Sequence, residues 1–121
     1  MAYKVNLSGP AEADAYRAFE RIREVAPAGA DKWLRGIFAA IATLADMPER
    51  CPMIPEADEL GHPARHLLYG KRTGQYRIIF DIQEEPREVP RVRILRIWHG
   101  SRDALTAADL EEESNSHRFD E

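Results

Sequence analysis

RHLLYGKRTGQYRIIFDIQEEPREVPRVRILRIWHGSR, residues Arg65 to Arg102, decides the fold. Two runs within it, Tyr76–Ile82 and Val92–Trp98, are dense in Ile, Val, Phe, Tyr and Trp. Such side chains suit a pleated, half-buried surface, so both runs read as strands. Arg65–Tyr69 reads as a third, shorter strand. Lys71-Arg72-Thr73-Gly74 supplies the first turn, and the second contains Pro86 and Pro90. The expectation is an antiparallel meander. Alternation puts Tyr76, Ile78 and Phe80 on one face and Arg77, Ile79 and Asp81 on the other. The stretch holds nine Lys+Arg against four Asp+Glu, a local balance of +5 in a chain of net charge −4.

Upstream, Tyr3–Leu7 is a short strand, and Ser8-Gly9-Pro10 opens a helix, with Ser8 as cap and Pro10 in the first turn. Ala15, Phe19, Ile22 and Ala26 recur at helical spacing. Pro27 and Gly29 break this helix. A second is expected to start near Asp31, with Leu34, Ile37, Ile41 and Leu44 as its stripe, widened by Trp33 and Ala40. A connection of about five residues makes the pair an antiparallel hairpin. Met47 to Pro63, with Pro48, Pro52, Pro55 and Pro63, reads as a stiff loop whose acids Glu56, Asp58 and Glu59 are solvated. Thr106 and Asp109 suit the capping of a short helix, Ala107–Glu113, and the last residues look frayed.

These elements give an α+β fold, β-α-α-β-β-β. The helical hairpin packs on one face of a four-stranded, mainly antiparallel sheet, with an optional short C-terminal helix. The other face is expected to stay open and to carry the arginines. Residues 1–105 form the domain, and 106–121 form an acidic tail.

At 121 residues and 44% hydrophobic content the chain suits one globular domain. Its apolar stretches are too short to span a bilayer, and MAYKVNLS lacks the apolar run of a signal peptide. A single cysteine, Cys51, permits no intrachain disulfide, which fits a cytoplasmic protein. Beside Arg50 it reads as a small, partly buried apolar residue.

The sequence has no glycine loop for phosphates and no hydrolase elbow around Ser101. His62 and His66 have zinc-pair spacing, but Pro63 sits between them and no third ligand stands nearby. Neither a metal nor another cofactor is expected. What remains is a basic and imidazole set: Arg65, Lys71, Arg72, Arg77, Arg96, His99 and Arg102. Guanidinium forks grip phosphates or carboxylates, and a histidine moves protons near neutrality. The set suits either RNA cleavage or docking of an acidic partner.

Four segments together resemble the RelE/ParE family of bacterial type II toxins, from Tyr3 to about Leu105. YKVNLSGPAEAD resembles the opening strand and helix start, and LADMPERCP the exit from the second helix. LLYGKRTGQYRIIFDI resembles the central strand pair, and ILRIWHGSRD the closing strand. The resemblance implies a compact toxin neutralised by a cognate antitoxin and linked to plasmid stabilisation. RelE-like members cut message on the ribosome, whereas ParE-like members inhibit DNA gyrase. Arg77 matches the arginine of the YR motif, and Arg102 the one after the last strand. The C-terminal tyrosine of RelE-like members is missing, since Thr106, Ala107 and Ala108 stand there.

HGSRD looks more ParE-like, so gyrase inhibition is expected, with ribosome-dependent cleavage or a retained inactive fold as alternatives. For a nuclease the catalytic candidates are Arg77, His99 and Arg102. For target or antitoxin binding they are Arg65, Lys71, Arg72, Arg77, Arg93 and Arg96. Neither membrane association nor sequence-specific DNA binding by the toxin alone is expected.

Overall fold

The computed structural model describes residues 2–71, 74–100, 105–111 and 116–118. The elements run β1 (Lys4–Ser8), α1 (Gly9–Val25), α2 (Pro27–Ala42), α3 (Ala57–Leu60), β2 (Arg65–Tyr69), β3 (Tyr76–Gln83), β4 (Arg91–His99) and β5 (Ser116–Arg118). Short 3₁₀ turns occupy Thr43–Ala45, Pro48–Arg50 and Ala107–Leu110. The sheet order is β2-β3-β4-β1-β5. β1 runs parallel to β4, and the other neighbours are antiparallel. The expected α+β architecture is therefore present. β5 is an addition to it: three residues of the tail, expected to fray, pair with the outer edge of β1.

Ser8 caps α1 by accepting the Ala11 N–H at 3.1 Å, with Pro10 in the first turn. Ala11, Ala15 and Ala18 are buried, and their small side chains let α1 lie close to the sheet. The second helix differs from its expected start. Pro27 does end α1, but it also begins α2, and Ala26 alone joins the two helices. Proline's fixed φ and missing N–H suit the first helical position, so one residue serves as both stop and start. Asp31 lies inside α2 and is not its cap. Gly36 is where α2 meets the sheet. A Cβ there would sit 2.0 Å from the Tyr69 hydroxyl, which donates to the Trp33 carbonyl at 3.1 Å.

The main core lies between the helices and the sheet. Ile37, Ile41 and Leu44 from the helical side pack with Val5, Leu7, Ile78, Phe80, Val92, Ile94 and Ile97. Ile94 and Ile97 both face the helices although they are three residues apart in a strand. A bulge makes this possible: Ile79 pairs with Arg96 and Phe80 with Ile94, which leaves Leu95 as the extra residue.

The opposite face of the sheet is not open, contrary to the sequence expectation. Ile79, Leu95 and Trp98 are covered there by Ile54, Ala64, Leu105 and Leu110 in a second core. Part of the cover comes from the proline-rich segment, which folds back and does not trail as a loop, and part from the C-terminal Leu105 and Leu110. Ile54 donates to the Ala64 carbonyl at 2.9 Å, Met53 bridges to Arg65, and α3 fills the return. The expected C-terminal helix is a 3₁₀ turn, in which the Thr106 N–H donates to the Asp109 carboxylate at 2.8 Å. Cys51 is buried, and burial raises its thiol pKa. Among the described residues no helix is long and apolar enough to cross a membrane.

Leu110 tests the second core. Truncating a buried leucine costs about 2–5 kcal/mol, so Leu110→Ala should lower the urea midpoint measurably. An unchanged midpoint would mean that the 3₁₀ turn does not seal this face.

Candidate functional site

The sequence candidates do not form one basic patch. Arg77 and Arg93 lie on the far face by alternation, and the bulge at Leu95 brings Arg96 to the same face, opposite Ile79, but each is held by a carboxylate. Arg77 grips Glu56 through two parallel bonds, Nη1–Oε2 at 3.1 Å and Nη2–Oε1 at 2.8 Å. Arg93 grips its cross-strand neighbour Asp81 at 2.9 and 2.6 Å. Arg96 grips Asp14 at 2.7 and 2.8 Å and lies 5.0 Å over the Trp98 ring. The three carboxylate side chains are only 10, 8 and 3% exposed. Paired forks of this kind are the strong class of charge-assisted hydrogen bond.

Arg65 lies on the helix side and donates to the Cys51 carbonyl at 2.6 Å, which pins the proline-rich segment. Lys71 is exposed after β2. Arg72 and Arg102 lie outside the described residues. The histidines of the zinc-like spacing have separate partners. His62 Nε2 is 3.0 Å from Asp81, and His66 Nδ1 accepts from Arg77 Nε at 3.2 Å. Burial, reinforced by the Arg77 charge, lowers the His66 pKa and favours the neutral ring that this bond requires.

His99 occupies the other face. Its ring stands edge-on to Tyr76 at 4.9 Å, beside α1. Arg77, one residue on from Tyr76, points through to the far side. The structure therefore separates two of the three nuclease candidates by the thickness of the sheet.

Sequence reasoning missed a cleft of about 490 Å³ between α1 and the ends of β3 and β4, lined by Asp14, Arg17, Ala18, Arg21, Tyr76, Ile97 and His99. Arg21 Nη2 donates to the Tyr76 hydroxyl at 2.9 Å. Arg17 and Arg21 are one helical turn apart, which was the available signal. Glu56 was also missed as a structural acid. No local pattern announces that a loop carboxylate will meet an arginine 21 residues later.

A sequence model described as ParE toxin of type II toxin-antitoxin system, parDE, matches residues 5–104. The chain belongs to the ParE toxin family. No curated protein matches it. As a type II toxin it has an antitoxin partner, and all the basic residues discussed above lie within the matched span.

Glu56 gives this toxin an acid-sensitive joint. The Arg77 hydrogen bonds, with help from the Leu105 N–H, lower its carboxyl pKa from 4.5 to about 2. A carboxyl depressed in the fold contributes its full stability above its ordinary pKa. That contribution is lost as pH falls through the folded value. At about 1.4 kcal/mol per unit, the shift corresponds to roughly 3 kcal/mol. Urea melts of the toxin from about pH 5 down to pH 2 should show this loss, and Glu56→Gln should flatten it. Arg77→Ala leaves a buried carboxylate without its counter-charge and should cost about 3–5 kcal/mol near neutrality. An unaltered acid limb in Glu56→Gln would remove the pair from the stability of the fold.

Proposed function

We propose that this toxin acts by inhibiting DNA gyrase in the cytoplasm, through surface binding and without bond-cleaving chemistry of its own. The observation that supports this reading is the separation of Arg77 from His99. A nuclease needs its phosphate-binding and proton-transferring groups around one scissile bond. Here Arg77 is committed to Glu56 and His66 on one face of the sheet, and His99 lies against Tyr76 on the other. The C-terminal segment also lacks a tyrosine, so the acid or base of RelE-like relatives has no counterpart there. Membership of the ParE family points the same way.

Purified toxin should inhibit supercoiling of relaxed plasmid by gyrase in a dose-dependent manner, and added antitoxin should reverse the effect. Ribosome-bound message should remain intact. Positioned acid–base catalysis is worth about 10²–10⁴ in rate, so cleavage that depended on it would be visible on a gel. Codon-specific cuts that disappear in His99→Ala, with supercoiling unaffected, would replace this reading with the ribosome-dependent one.

A further inference from the structure

The cleft beside α1 continues into a second hollow of about 290 Å³, which shares Arg21, Tyr76 and His99 with it. The two halves differ in chemistry. In the first, Arg17 and Arg21 line the wall from successive turns of α1. In the second, Ile22, Val25 and Trp33 provide an apolar wall. We propose that this two-part cleft docks a segment of a partner protein in which an acidic side chain stands beside an aliphatic one, and that the antitoxin supplies the segment. The inference rests on membership of the toxin family and is independent of gyrase as the target.

The charge arrangement favours a carboxylate. Asp14 lines the same cleft, but Arg96 already neutralises it with two short bonds. Its contact with Arg17 is longer, at 3.4 Å, and the Arg17 side chain remains 65% exposed. Arg21 commits one of its N–H groups to Tyr76, which steadies its fork at the rim. A fork of this kind matches a carboxylate in bidentate geometry.

A nucleic-acid strand fits less well. Polyanion binding draws on many cations along a path, whereas Glu20 and Glu24 share this helix and the chain is net −4. The apolar half also needs a covering group. Val25 is 84% exposed, well beyond the 47% of Tyr16 on the same helix. Trp33 Nε1 is buried at the edge of this half without a hydrogen-bond partner among the described residues. An orphaned donor typically costs about 1–3 kcal/mol, so this wall is not fully satisfied by the toxin alone.

The test is calorimetric titration of the cognate antitoxin into purified toxin at low and high salt. Arg17→Glu/Arg21→Glu should weaken binding about tenfold or more at low salt and flatten the salt dependence. Val25→Asp should weaken it about threefold or more. Arg35→Glu, on α2 away from the cleft, should stay within about twofold. Thermal melts check that each variant folds. If the double variant does not, Arg17→Ala leaves the Arg21–Tyr76 bond in place and should still weaken binding and reduce its salt dependence. Unchanged affinity and salt dependence in the arginine variants would overturn the proposal. Loss at the arginines with no change at Val25 would overturn the two-part occupant. A single-stranded oligonucleotide that binds wild-type toxin and is lost in the double variant, with antitoxin affinity unaltered, would also overturn it.

Discussion

The carboxylate of Asp14 joins the two layers of this protein where the sheet is least able to satisfy itself. β1 accompanies β4 only as far as Ile94, and the bulge at Leu95 then interrupts the ladder. Backbone groups past that point are buried and need partners. α1 supplies them with side chains. The Ser8 hydroxyl donates to the Leu95 carbonyl at 2.9 Å, and Asp14 accepts the Ile97 N–H at 3.0 Å. An ionised acid at 3% exposure then requires a counter-charge, which Arg96 provides. The bulge lets Ile94 and Ile97 both reach the main core, so packing, backbone satisfaction and charge depend on one another here.

The same logic holds the far face. Glu56 binds Arg77 and also accepts the Leu105 N–H, so one carboxylate ties the proline-rich segment and the start of the C-terminal segment to β3. Asp81 binds Arg93 across the strands and His62 from the return of the loop. Buried ion pairs are not strong stabilisers compared with apolar packing, but removal of one partner is costly. Substitution of Arg77 or Arg96 therefore risks unfolding, and loss of toxicity in such a variant says little about target contact. Arg17 and Arg21 can be altered without leaving a fully buried acid unpaired, because Asp14 keeps Arg96.

Much of the fold was legible in the residues. The meander, the Ser8 cap and the helix-facing set of Tyr76, Ile78 and Phe80 follow from local pattern. The sequence obscured features whose cause is nonlocal. Pro27 reads as a breaker, and only the tertiary hairpin shows that it also opens α2. The surplus positive charge between Arg65 and Arg102 is real, but Glu56 and Asp14, which absorb part of it, lie outside that stretch. Ile54, Leu60, Leu105 and Leu110 are scattered apolar residues without a period, so their common place over the far face could not be seen. The site candidates shared this difficulty. Charge marked the right strands, but alternation and long-range pairing decided which guanidinium groups remained accessible.

The tail shows how composition and structural role diverge. It is acid-rich, yet its described contributions include Leu110 in the second core and a backbone strand on β1. An edge strand presents unpaired N–H and C=O groups that invite another chain. β5 covers that edge of β1, and the start of β2 is met by Pro52, whose carbonyl accepts the His66 N–H, and by the Met53 bridge. Strand addition to β1 at Asn6–Ser8, or to the start of β2, would have to displace these segments. A helix-side cleft lined by side chains carries no such cost, which favours recognition through charge and apolar contact over extension of the sheet.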